Sequence, residues 1–400
     1  MRTFCRAHPH DLDANFFLAV ILQAMGKTDE SDDVFAHLLD IMPDFFPALR
    51  GRFTLWYEAA KWDRAALIGN ELLHTYPDDT ETRILVARAL NHLGRDEEAI
   101  IVLEEGKKID PANSGLWVQE GYLFLDQDRP EMAREQFLGA LQVRAQDQPA
   151  TYGLGLAAMR MRDLDGAVAK FEMITPDSPF FIEALERRAY IKLVRGDVAG
   201  AMDLVQPVYD HQPSDPEVAL TYAAIAREAG KYDLAEAAVR QAIQTMPRVG
   251  ELQAELALIL SARGEEAKAR QVAEQVLKKN PRTPWALNFI GYSLAVEGKD
   301  LDRAEKLIRQ ALELEPDAGY ILDSLGWVYY QRGDYETALK YLEQASREAG
   351  PDAEILEHTG DCLRKLGRKA EARNAYAHGL DALPNPALRA RLEQKLKELP

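Results

Sequence analysis

The chain has 400 residues, with 48 Lys and Arg against 65 Asp and Glu, for a net charge of −17. That negative field repels phosphate backbones and anionic lipid, so no nucleic-acid partner is expected. A hydrophobic content of 47% supports a folded protein, yet no uninterrupted apolar run reaches the roughly 18 residues of a membrane helix, so no integral membrane span is expected.

In chain order, the opening MRTFCRAHPHDLD carries no apolar secretory stretch, and the chain as given reads as cytoplasmic. An export signal upstream would place it instead in the periplasm or at the outer membrane. Residues 1–11, which include FCRAHPHD, read as the remnant of a preceding repeat or an N-terminal extension, and a longer array upstream is expected.

From there the sequence repeats. Pro9, Pro43, Pro77 and Pro111 fall 34 residues apart. Ser31, then Ala65, Ala99, Ala133, Ala167, Ala201, Ala235 and Ala269 keep the same step, and after one inserted residue near Lys299 the series resumes at Ala304, Ala338 and Ala372. Twelve residues before these, or thirteen across the insertion, stand Ala19, Ala87, Gly121, Gly155, Ala189, Ala223, Ala257, Gly291, Gly326 and Gly360, with Phe53 the exception. Between the two series a glycine recurs at Gly26, Gly94, Gly196, Gly230, Gly264, Gly298, Gly333 and Gly367, where a helix must end and the chain reverse. Each unit is therefore helix, turn, helix, with small residues where antiparallel helices touch. Phe35, Phe137, Phe171, Ile308, Leu342 and Tyr376 fill the space between units, and proline stops each second helix.

Eleven units follow: 12–45, 46–79, 80–113, 114–147, 148–181, 182–215, 216–249, 250–283, 284–318, 319–352 and 353–386. Units one, two and five fit the pattern least well, with Phe53 and Gly69 misplaced in unit two and no turn glycine in unit five, so local irregularity is expected there. Residues 387–400 place Leu388, Leu392, Leu396 and Leu399 on one helical face with Arg389, Arg391, Lys395 and Lys397 outside it, a solvating cap for the last unit.

This pattern resembles the tetratricopeptide repeat family over residues 12–386, most closely in YILDSLGWVYYQRGDYETALKYLEQA of unit ten. The resemblance implies an all-α, right-handed solenoid superhelix whose first helices line a concave face, with positions 2, 5, 9 and 12 of each unit pointing into it. The segment from Ala286 to Tyr330 further resembles bacterial cell-envelope members of the family.

No motif for chemistry appears. There is no GxxxxGK[ST], HExxH or GxSxG, and Cys5 and Cys362 stand far apart without CxxC spacing. His8 and His10 lack a third ligand. No catalytic residue, metal site or cofactor is expected. The family's carboxylate clamp for chaperone tails is also missing: Arg50 is the one basic residue at position 5, and Thr54 follows it.

What remains is a surface for other proteins. At the concave positions of units nine to eleven stand Trp285, Asn288, Tyr292, Tyr320, Asp323, Trp327, Tyr330 and Asp361, rigid rings mixed with hydrogen-bonding groups. Tyr122, Tyr152 and Tyr190 form a second, weaker candidate. The expectation is a non-enzymatic scaffold or assembly factor that holds extended peptides or helices of partner proteins in its groove. The alternatives are the substrate-recruiting or regulatory part of an enzyme complex whose catalytic domain is on another chain or upstream of Met1, and self-association through the N-terminal unit.

Overall fold

A computed structural model describes residues 2–399. After α1 (Arg2–Ala7) the helices alternate as hairpins: α2 (Leu12–Ala24) with α3 (Thr28–Ile41), α4 (Phe46–Glu58) with α5 (Trp62–Thr75), α6 (Thr80–His92) with α7 (Asp96–Ile109), α8 (Ser114–Asp126) with α9 (Pro130–Val143), and α10 (Gln148–Arg160) with α11 (Leu164–Phe171). The series continues with α12 (Phe181–Val194) and α13 (Val198–His211), α14 (Pro216–Glu228) and α15 (Tyr232–Thr245), α16 (Gly250–Ala262) and α17 (Glu266–Lys279), α18 (Pro284–Val296) and α19 (Leu301–Leu312), α20 (Gly319–Arg332) and α21 (Tyr335–Ala349), and α22 (Ala353–Lys365) and α23 (Lys369–Asp381), closed by α24 (Pro386–Glu398). No strand occurs among the described residues.

Short aspartate or asparagine caps start six of the eleven first helices. Asp11, Asp79, Asn113, Asp147, Asp215 and Asp352 each accept a backbone N–H of the first turn, satisfying groups that a helix start leaves open. Every hairpin turn contains one residue in the left-handed region. Glycine supplies it in eight units, and Ala60, Asp128 and Arg162 supply it in units two, four and five. The inserted residue near Lys299 is absorbed at Asp300, also left-handed, whose side chain caps α19.

The small-residue series does the packing work expected of it. Ser31 and all ten alanines in its register are fully buried, and the Ser31 hydroxyl donates to the Ala19 carbonyl at 2.8 Å, which satisfies the one polar member. Unit two solves its irregularity by exchange: the Phe53 ring, 1% exposed, lies where a Cβ on Gly69 would stand only 2.9 Å away, so the large and small partners have swapped helices. In unit five α11 has eight residues, against 12 to 15 in the other second helices, because Thr175–Pro176–Asp177–Ser178–Pro179 cannot extend a helix.

The chain divides into two compact units, one ending at Lys170 and the other beginning at Phe171. The first has its own core around Phe53, Leu90 and Leu103. It also buries an ion pair, Lys107 to Glu120 at 2.5 Å, with the Lys107 ammonium 4.1 Å from the Trp117 ring centre. The second unit stacks its cores from Leu185 to Leu399.

Candidate functional site

The first helices of the second unit turn one face toward a common interior, and two hydrogen bonds close it. The Tyr190 hydroxyl on α12 donates to the Leu383 carbonyl at 2.8 Å, and the Asn385 amide donates to Glu228 on α14 at 2.7 Å. Leu383 has a left-handed backbone, a conformation that costs a non-glycine residue about 1 kcal/mol or more. Asn385 does double duty, since its side-chain oxygen caps α24 by accepting from the Leu388 N–H. Beside this strap Arg227 links Glu228 and Glu255. Burial, with Glu228 and Asp352 near it, pushes the Tyr190 phenol up to about 12.

The wall made by α18, α20 and α22 gathers most of the aromatic candidates. Asp323, buried on α20, accepts from the His358 ring on α22 at 2.8 and 3.0 Å. Trp327 stacks between that imidazole and Tyr330, with ring centres 4.2 and 4.5 Å away, and Tyr292 lies 6.4 Å from the same imidazole. Burial alone would lower the His358 pKa, but the charge and hydrogen bond of Asp323, with Glu354 and Glu357 behind it, raise it. Burial among Glu354, Asp323 and Glu357 raises the Tyr292 phenol as well, and burial beside Asp361 takes Tyr330 to about 12.

Other candidates are placed differently. Trp285 packs on the start of α16, its indole nitrogen 3.8 Å from where a Cβ on Gly250 would stand, so it covers the preceding repeat. Tyr320 is 47% exposed and donates to Glu315. Asp361 is taken internally, accepting from Tyr376 at 2.7 Å and Lys395 at 2.6 Å. In the first unit Tyr152 is buried, and Tyr122 packs edge-on to Phe137 while donating to the Pro149 carbonyl, so both serve helix packing rather than an open ladder. Tyr190 belongs to the second unit and to the strap.

Sequence reasoning missed His358, whose position 6 is not an inward one in the repeat pattern; an isolated histidine four residues after a glutamate carries no signal of its own. It also set the basic side chains of α24 in solvent. Leu388, Leu392 and Leu399 are buried, but Arg391 grips Glu357 through two bonds of 3.1 and 2.9 Å, and Lys395 bridges Glu357 and Asp361. Burial works against the Glu357 carboxylate, and these donors outweigh it and hold its pKa below the usual range. Among the described residues no group of His, Cys, Asp and Glu is arranged to hold a metal, and no helix is long and apolar enough to cross a membrane.

A stack of helical hairpins with aromatic and charged groups on an inner face defines a helical-repeat protein. Family models described as tetratricopeptide repeat-like domain match residues 248–400, and as tetratricopeptide repeat match 118–180 and 80–113. The chain belongs to the tetratricopeptide repeat family. It is 28% identical over 216 residues to a TPR repeat-containing protein of Pseudomonas aeruginosa, covering 53% of this chain and 36% of that one. It is 22% identical over 355 residues to human protein O-mannosyl-transferase TMTC3, covering 88% of this chain and 37% of that one. The chain thus spans little more than a third of either relative. Against the crystal structure of yeast Tom70 the TM-score is 0.47 at 14% identity, covering 97% of this chain and 95% of that one.

Proposed function

We propose that the chain is a non-enzymatic scaffold or assembly factor that holds a segment of a partner protein against the inner wall of units nine to eleven. The observation that carries this reading is the cluster of Tyr292, Asp323, Trp327 and His358, in which aromatic faces and a buried ion pair come together from three helices. Asn288, Tyr320 and Tyr330 flank the cluster.

The test is a pull-down from the source organism with the wild type, Trp327→Ala and Tyr329→Ala, each checked for folding by circular dichroism. An aromatic anchor in an interface is worth 2 kcal/mol or more, so Trp327→Ala should weaken a true ligand by roughly thirtyfold with folding intact. Tyr329 packs against the cores and donates to Glu305, so its loss should lower stability first. Retention of every partner by folded Trp327→Ala would show that the cluster is structural.

A second reading makes the chain the recruiting part of an enzyme complex. It is favoured by the match to TMTC3, a protein named as a transferase, of which the matched stretch is 37%. Co-purification of a transferase with the wild type and its loss with Trp327→Ala would support this reading.

A further inference from the structure

We propose that the inner face of the second unit takes a partner segment rich in arginine or lysine, a claim that rests on the binding reading above and names the chemistry of its ligand. The wall already binds two cationic side chains at its C-terminal end, where Glu357 and Asp361 hold Arg391 and Lys395 of the chain's own α24. One turn back along α22, Glu354 is exposed near Tyr292 and His358, and its carboxylate has no hydrogen-bond partner among the described residues. Protein crowds it, and burial, with Asp323 and Asp352 adding repulsion, raises its pKa although His358 and Arg391 act the other way. The charge there is not fully neutralised.

The same surplus recurs on α12 and α14. Glu183 and Glu217 occupy equal positions near the starts of these neighbouring helices; burial raises the Glu217 pKa, Glu183 adds to it, and one Glu183 oxygen is buried with no donor. A second kind of observation points the same way. Asn288, 8% exposed, sits four residues before Tyr292 on the same face of α18, and its side-chain oxygen has no donor. Unmet acceptors, surplus carboxylates and the ring of Tyr292 together suit a guanidinium or ammonium group, which supplies donors, positive charge and cation–π contact at once. A neutral or acidic segment would bury these carboxylates further without a partner.

The probes are two short fluorescent peptides on a Gly/Ser background, one with arginine at every third residue and one with citrulline in those places, read by anisotropy at physiological salt. The arginine peptide should bind the wild type, and the citrulline peptide should not. The double variant Glu217→Gln with Glu354→Gln should bind the arginine peptide about tenfold more weakly while melting no lower than the wild type, because it removes charges that have no partner. A matched control, Glu97→Gln with Glu131→Gln in the other compact unit, takes away the same charge and should leave affinity unchanged. Equal binding of both peptides, or an equal loss in the control, overturns the proposal. The binding reading is judged separately: if Trp327→Ala loses its native partners while the Glu217/Glu354 variant keeps them, the wall is a protein site of other chemistry, whereas retention by Trp327→Ala ends both.

Discussion

The Tyr190 hydroxyl and the Leu383 carbonyl, 193 residues apart in sequence, meet at 2.8 Å and fasten the end of the second unit to its beginning. Tyr190→Phe keeps the ring and removes this bond, and Asn385→Ala removes the companion bond to Glu228 together with the cap of α24. Each should cost about 1 kcal/mol. Native-state hydrogen exchange should quicken at the amides of Leu388 and Arg389, while amides of α6 and α8 in the first unit keep their protection. Unchanged exchange at Leu388 in Asn385→Ala would show that the strap carries no stability.

Gly326 has no room for a side chain. A Cβ there would stand 2.8 Å from Leu342 and 3.2 Å from the Ala338 carbonyl, which belongs to the backbone and cannot turn aside. Gly326→Leu should destabilise units ten and eleven by about 1–3 kcal/mol or more, read by chemical denaturation, with the damage confined to nearest neighbours.

Unit two offers a test of compensation. Gly69→Leu alone would place its Cβ 2.9 Å from the Phe53 ring and 2.3 Å from Val86, and Phe53→Ala alone would leave a cavity. Each should cost about 1–4 kcal/mol, and the pair Phe53→Ala with Gly69→Leu, which restores the order of the other units, should recover part of the loss. A double variant no more stable than the sum of its parts would contradict the exchange.

His358 gives the second unit a pH dependence of definite sign. Its folded pKa is raised above 6.5, so its contribution is full below 6.5 and is lost as pH rises through the folded value. The groups facing it are Asp323 on α20, Tyr292 on α18, and Glu354 and Glu357 on α22, with Arg391 of α24 acting on Tyr292, Glu354 and Glu357. Glu354, also raised, contributes with the same sign from 4.5 upward. The wild type should lose melting temperature as pH rises above 6.5, and His358→Gln, which keeps a donor toward Asp323, should flatten that slope. Identical slopes would show that His358 is not the titrating group.

The buried pair in the first unit separates net worth from the cost of breaking it. Lys107→Ala leaves Glu120, 2% exposed, without its counter-charge and should cost about 3–5 kcal/mol, whereas Lys107→Met with Glu120→Leu should be close to neutral. Thermal melting of the two variants measures the difference.

The sequence alone determined the repeat: the 34-residue spacing of small residues, turn glycines and prolines leaves one way to pack antiparallel hairpins, because only small side chains let the helices touch, and Ala19, Gly326 and Ala338 lie where that spacing put them. It also brought Tyr292, Asp323 and Trp327 to one face, since Tyr292 and Trp327 hold equal positions in successive repeats and Asp323 lies one turn before Trp327 on the same helix. Tertiary structure decided what periodicity cannot encode. The Phe53–Gly69 exchange leaves packed volume unchanged while breaking the pattern in each helix. His358 joins the wall only through Asp323, 35 residues away, and Arg391 and Lys395 face the carboxylates of α22 instead of water. The strap from Leu383 to Tyr190 depends on how small rotations between hairpins add up across the unit, a sum to which every interface contributes and which no single repeat contains.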